Sequence, residues 1–411
     1  MVEHLRRTDA NGPTGRRHGE QVQVVVVETR EQRAATPVED LLVPREDDPR
    51  RHLGHHAIDD VHVDDGTAHL HAPEAQGAHA GPSWSIVRVL ELSVGELLDR
   101  LAVGSVDEDL LDPSGVVVVL RPDRVAPGRL DELATRVGTL PAVIVGPPSV
   151  AAAADVVLEA EGDLEALTAT VRANPLSATA LALLLRHGDG RPTVAGLVAE
   201  SAVYSTLQGG PEFAAWRVSR PRRVPPPDEG PAVLVRRNGS RLEVRLNRPG
   251  RRNALSSSMR EEWLEALAVA ALDRTVSEVH LLGEGPAFCS GGDLDEFGTF
   301  PDPATAHLVR LGRSLAAALD AVGDRVVAHL HGACVGSGIE LPAFAGTVLA
   351  APGTVIALPE VGLGLVPGAG GTVSLPRRIG RHRAVLLALT QRTIDAHTAL
   401  RWGLVDGLEA G

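Results

Sequence analysis

Apolar positions along this chain alternate between two rhythms, helical spacing of about 3.6 residues and short continuous runs, and the alternation marks out its elements. From Trp84 onward, Leu90 to Leu101 has helical spacing, Gly115 to Leu120 is a continuous run that predicts a buried strand, Gly128 to Val137 is helical, and Leu140 to Val145 predicts another strand. Residues 163–186 and 192–217 then read as helices, the second stretch carrying Leu197, Glu200, Tyr204, Leu207, Phe213 and Trp216. A second series follows, with strands at Leu242 to Leu246, Glu278 to Leu282 and Val326 to Leu330 separated by helices at Ser256 to Leu272 and Ala304 to Ala321. Strands alternating with helices predict an α/β fold with parallel pairing and crossover helices. Between the two series lies Arg222-Arg223-Val224-Pro225-Pro226-Pro227-Asp228-Glu229-Gly230, a charged Pro-rich stretch expected to be extended and exposed. The expected organisation is a smaller α/β module with helices over 84–223, a linker over 224–231 and a second module over 232–411.

Residues 1–83 lack this rhythm. They are rich in Arg, Asp, His, Gly and Pro, with Val22 to Val27 as the one strong strand signal, the composition of a disordered or loosely folded segment. A segment absent from the natural product, created by a start assigned upstream of a GC-rich gene, is the other reading. Over half of the sixteen histidines fall here, His52, His55, His56, His62, His69 and His71 among them, interleaved with Asp59, Asp60, Asp64 and Asp65. No i, i+4 pair set on a helical pattern, and no finger-like spacing, organises them, so no metal site is assigned.

Composition narrows the function classes. The 411 residues are 44% hydrophobic and 23% charged, ordinary for a soluble globular protein, and the net charge of −13 argues against nucleic acid or an anionic membrane as partner. Every Lys/Arg position is arginine, which fits a GC-rich coding sequence. With only Cys289 and Cys334, cysteine supplies neither a disulfide framework nor a zinc cluster, and a reduced, cytoplasmic setting is the expectation. The N-terminus has no apolar core of signal-peptide length. Residues 341–359 are uncharged, but Pro342, Gly346, Pro352, Gly353 and Pro359 would break a membrane helix repeatedly, so buried strands and turns are expected there.

Three glycine-bearing turns each follow a strand: Phe288 to Leu294, His331 to Gly338, and Val366 to Thr372. The second is expected to open a helix near Ser337, presenting free N–H groups able to bind a phosphate or stabilise an oxyanion. Glu340 follows in the first turn of that helix and Glu360 comes twenty residues later in Leu358-Pro359-Glu360-Val361-Gly362. Two carboxylates in one apolar pocket acquire different proton affinities, so one can hold a proton while the other accepts one.

From about Leu242 to Asp406 the chain resembles the enoyl-CoA hydratase/isomerase (crotonase) superfamily. The resemblance rests on Leu246-Asn247-Arg248-Pro249 with Asn253-Ala254-Leu255, on Phe288 to Leu294, on His331 to Leu341, on Leu358 to Gly371, and on Ala399 to Val405, in family order. It implies a crotonase-like (ClpP/crotonase) spiral of ββα units acting on an acyl-CoA thioester. The thioester oxygen would accept from the N–H groups of Gly292 and Ser337, the latter at a place where the family often has glycine. Ala254, Leu255, Gly291, Gly292, Asp293, Leu294, Asp295 and Ser337 would line the substrate and CoA groove. Glu340 would hold and activate the water that adds at C3, and Glu360 would exchange a proton at C2. No metal and no cofactor are implied, coenzyme A being part of the substrate. Retention of both acids favours a hydratase; an isomerase or thioester hydrolase on the same scaffold, and a non-catalytic CoA-binding or assembly subunit, are the alternatives.

The sequence stops at Gly411, where the family continues for several helices that help close the acyl pocket and build a trimer, so a homo-oligomer is possible but the trimer is in doubt. Residues 154–216 resemble that absent region: Ala154 to Val157, Asp163 to Ala169, Asn174-Pro175-Leu176-Ser177-Ala178, Leu181 to Arg186, and Glu200 through Trp216. Residues 87–220 therefore read as a degenerate crotonase-like half whose helices cap the catalytic module in the manner of a circular permutation. A helical appendage, or a chain truncated at its C-terminus, is the competing reading.

Overall fold

The four residues Val116 to Val119 with Leu120 form a strand whose side chains all turn inward, alternately to two different cores. Val117 belongs to a large core shared with the rest of the molecule, whereas Val116, Val118 and Leu120 belong to a smaller one. A strand covered on both faces needs such an uninterrupted apolar run. The computed structural model describes residues 87–102, 108–121, 126, 128–220 and 230–409. The readings for residues 1–83, and for all of the linker except Gly230 and Pro231, lie outside the described residues.

The N-terminal half comprises β1 (Arg88–Leu92), α1 (Val94–Ala102), β2 (Val116–Leu120), α2 (Arg129–Arg136), β3 (Val143–Gly146), β4 (Val156–Val157), α3 (Asp163–Ala173), α4 (Pro175–Arg186), α5 (Thr193–Gln208) and α6 (Pro211–Ser219). Its four strands pair in sequence order, all parallel. Helix formation over Leu90–Leu101 is corrected at its start: Leu90 to Leu92 are strand. Ser93 and Glu96 make a reciprocal capping box, with Glu96 N–H on Ser93 Oγ (3.1 Å) and Ser93 N–H on Glu96 Oε2 (2.7 Å), and this begins α1 at Val94. The stretch 163–186 divides at Asn174-Pro175, where proline ends one helix and opens the next. Arg186 closes α4 and ties it to the sheet. Its guanidinium holds both oxygens of Asp155 at 2.7 Å and reaches the carbonyls of Val137 and Leu140, all buried. Removing one partner of such a pair typically costs about 3–5 kcal/mol, because the other charge is left buried and alone.

The C-terminal half comprises β5 (Val233–Asn238), β6 (Arg241–Leu246), α7 (Ser257–Leu272), β7 (Glu278–Gly283), α8 (Pro303–Gly312), α9 (Leu315–Val322), β8 (Val326–Leu330), β9 (Ala333–Val335), α10 (Ser337–Glu340), β10 (Thr347–Ala350), β11 (Val355–Ala357), α11 (Gly371–Ile379), α12 (Arg381–Thr390), β12 (Ile394–Asp395), α13 (Ala396–Trp402) and β13 (Gly407–Leu408). Six strands form a sheet in the order β13-β10-β8-β7-β6-β5, parallel except for the β5–β6 hairpin, and β12-β11-β9 form a second sheet. The predicted helix over 304–321 is two helices. Ser314 leaves helical geometry and its Oγ accepts from Ala317 N–H (3.2 Å), restarting the chain as α9. Residues 341–359 are short strands and turns, as their prolines require. Among the described residues no helix is long and apolar enough to cross a membrane.

The two halves share one core. Val117, Val145, Leu167, Leu181, Leu197 and Phe213 cluster with Trp263, Leu281, Ile339 and Leu386. Polar ties follow the same seam: Arg381 donates to the Ala154 carbonyl (2.7 Å), and Arg392 pairs with Asp163 (2.9 Å).

Candidate active site

Asn253 sits at φ 54° with no exposed surface, a left-handed conformation that asparagine tolerates better than most residues. Its Oδ1 accepts from Arg248 N–H (2.8 Å) and its Nδ2 donates to the Glu284 and Ala287 carbonyls (2.9 and 2.8 Å), so every polar atom is used. This anchors Ala254-Leu255 against the glycine turn: Leu255 N–H donates to the Gly291 carbonyl (2.8 Å) and Asp293 N–H to the Leu255 carbonyl (2.9 Å). Asp293 is buried between Arg248 (3.1 Å) and Arg251 (2.7 Å), and Arg251 also holds Asp295 at 2.9 Å. Those carboxylates fasten the loop, which leaves the backbone of Gly292 facing inward.

The second turn requires glycine for steric reasons. Gly336 has φ 52° and ψ −120°, and a Cβ there would stand 2.3 Å from Glu360 Oε1 and 3.7 Å from Glu340 Oε1. The two glutamates therefore converge on one backbone point. A Cβ at Gly338 would stand 2.1 Å from the Cys289 carbonyl oxygen, so the start of α10 can press against the first turn only without a side chain. The N–H groups of Gly292 and Ser337 donate to no acceptor among the described residues, and both residues line a cavity of about 210 Å³ with Leu255, Asp293, Glu340 and Glu360. Ala254, Gly291, Leu294 and Asp295, also expected in the groove, do not line this cavity.

A third carboxylate joins the two expected ones. Glu200, on α5 of the N-terminal half, is 2% exposed and lines the same cavity. It and Glu340 divide one turn between them. Glu340 Oε2 accepts from the N–H groups of Ala369 and Gly371 (2.8 and 2.9 Å), while Glu200 accepts from those of Gly370 and Thr372 (2.7 and 2.9 Å) and from the Thr372 hydroxyl (2.7 Å). Glu360 differs, since its Oε2 is buried without a partner. Burial pushes Glu360 up to about 7, with the charge of Glu200 adding to the effect. Burial likewise raises Glu200 to about 7 against the donors of Thr372 and Gly370. Glu340 is raised well above the usual carboxylate range, by burial first and then by the charges of Glu360 and Glu200. The three titrate as a set and cannot all be ionised at neutral pH. Both cysteine thiols are buried, which pushes them up, Cys289 to about 11, so neither is a reactive thiolate.

Sequence reasoning named Glu200 but gave it no role in the site. Its signal was positional: Leu197, Glu200, Ser201, Tyr204 and Gln208 fall on one face of α5, and all line the cavity. A carboxylate on the inward stripe of a helix needs buried partners.

Residues 236–410 match the family model described as Enoyl-CoA hydratase/isomerase. The chain is 34% identical to the 2,3-dehydroadipyl-CoA hydratase of Escherichia coli strain K12, over 42% of this chain and 68% of that enzyme. It is 38% identical to the putative enoyl-CoA hydratase/isomerase YngF of Bacillus subtilis strain 168, over 41% of this chain and 65% of that protein. It thus spans about two thirds of the length of these relatives. Among solved structures, the enoyl-CoA hydratase of Thermoplasma volcanium GSS1 aligns with TM-score 0.41 and 30% identity, covering 44% of this chain and 73% of the other. The matched span begins within β5 and takes in all three glycine turns and both expected glutamates, and on that similarity the chain belongs to the enoyl-CoA hydratase/isomerase (crotonase) family, with the α/β crotonase-like fold.

Proposed function

We propose that the protein adds water across the 2,3 double bond of an enoyl-CoA thioester. The observation that carries this reading is the convergence of two buried glutamates with two unengaged backbone N–H groups on one cavity. The thioester oxygen would accept from Gly292 and Ser337, so that negative charge rests there as the C3–O bond forms; losing one donor of this kind typically costs about 10²- to 10³-fold in rate. Glu340 is fixed in place by two N–H donors to Oε2, which favour its ionised form against the burial that raises it, and in that form it is suited to take a proton from the attacking water. Glu360, with an unpartnered oxygen, is suited to hold a proton and deliver it to C2. The sum is one O–H and one C=C bond lost, one C–O and one C–H bond gained. Amide donors hold the enolate, so the reading invokes neither a metal nor a further cofactor.

Isomerisation of a 3-enoyl-CoA needs only one acid/base group, and thioester hydrolysis places the nucleophile at C1 instead of C3. Purified full-length protein offered crotonyl-CoA is expected to yield the 3-hydroxyacyl-CoA, with 3-enoyl-CoA a poorer substrate. Glu360→Gln is expected to lower kcat by about 10²- to 10⁴-fold. Unchanged turnover in that variant would remove Glu360 from the chemistry.

A further inference from the structure

Three arginines line the cavity, and two of them share one carboxylate. Arg260 and Arg313 both pair with Glu261. Arg310 is different. It projects from α8, stacks 4.3 Å above the Tyr204 ring, and donates through Nη1 to the hydroxyls of Ser201 and Ser205, each at 3.0 Å. Its Nε and Nη2 donate to no acceptor, and it forms no ion pair, among the described residues. The charge of Glu200 bears on Arg310, but both Glu200 oxygens are committed to the 370–372 backbone and neither accepts from the guanidinium. Burial works against the Arg310 charge, Glu200 supports it, and Arg260 repels it. A partly buried guanidinium facing a cavity with free donors is best answered by an anion that arrives with the ligand.

Position indicates which part of the ligand carries that anion. Arg310 reaches the cavity through the wall built by α5. Tyr204, on which it stacks, packs on Gly368, where a Cβ would stand 2.3 Å from the ring. That wall faces the turn holding Glu340, whereas Gly292, which the proposed function gives to the thioester oxygen, belongs to another. We infer that Arg310, set by Ser201, Ser205 and Tyr204, receives a carboxylate at the far end of the acyl chain, so that the substrates are dicarboxylic enoyl-CoA thioesters. The planar fork of arginine suits bidentate capture of a carboxylate, which a methyl-ended chain cannot answer. This rests on the assignment of the cavity to an acyl-CoA.

Binding of saturated thioesters separates the two ideas, because it needs no chemistry. Calorimetric titration of the full chain with adipoyl-CoA and hexanoyl-CoA, and with the glutaryl/pentanoyl and suberoyl/octanoyl pairs, is expected to favour at least one carboxylate-ended member by about 10- to 100-fold. In Arg310→Met that ratio falls to near 1, and Arg310→Lys keeps part of it. If no thioester is hydrated but the carboxylate preference is present, the reaction assigned above fails and this inference stands. A wild-type ratio near 1 for every pair overturns it. So does an equal loss of both members in Arg310→Met, which would mean that the arginine reads coenzyme A.

Discussion

A carboxylate with an unpartnered buried oxygen, as Glu360 has, opposes folding whenever it is ionised, and this fixes the sign of a pH dependence. Its folded value is raised to about 7, above that of an unfolded glutamate. Below about pH 4.5 the group is protonated in both states and costs nothing. As pH climbs toward 7 the unfolded chain ionises first, so stability falls across that window and is flat above it. Glu200 acts in the same direction. Glu360→Gln cannot ionise, so its melting temperature relative to wild type is expected to rise by at least about 2 °C between pH 4.5 and 8. A difference that does not move with pH would show that the charge is relieved by some other route. The same residue is thus predicted to be needed for turnover and harmful to stability, a common pattern at active sites.

At the scale of elements, α5 and α11 set the acids. Helix α5 brings Glu200 to the start of α11, where alternate N–H groups go to Glu200 and Glu340, so the turn that positions Glu340 is fixed from both sides. Replacing Glu200 with glutamine substitutes a donor for one acceptor and leaves an N–H of Gly370 or Thr372 unanswered. Because it acts through Glu340, Glu200→Gln is expected to lower kcat by up to about 100-fold with KM little changed, and to shift the pH–rate profile as one of three coupled charges is lost. A purely structural role would lower the melting temperature and leave that profile in place. Element boundaries show what is local. The capping box at Ser93-Glu96, proline at 175 and the Ser314 cap each mark a helix start from a few adjacent residues. Apolar periodicity alone runs across those breaks, which is why 90–101 and 304–321 read as longer helices than they are.

At the scale of the molecule, the main core does not respect the boundary between the halves, since Leu167, Leu181, Leu197 and Phe213 pack with the C-terminal residues. Deleting residues 1–225 would expose that surface and remove Glu200, Tyr204 and the partners of Arg310. The expected outcome is a poorly soluble, inactive fragment, measured by soluble yield and by turnover of crotonyl-CoA. A soluble, fully active fragment would end the reading of α5 as part of the site. The five motifs, the two glutamates and the glycine turns were legible in the sequence because each is a short-range requirement: a residue type dictated by a backbone conformation, a close approach or a cap. The third carboxylate and the unpaired arginine were not. Glu200 meets Gly370 across 170 residues of chain, and Arg310 meets Ser201 across 109. The sequence determined by itself which groups could do acid/base chemistry and which turns could hold an oxyanion. Only the packing of one half on the other decided which charges share the cavity, because a buried charge takes its meaning from neighbours that no local pattern specifies.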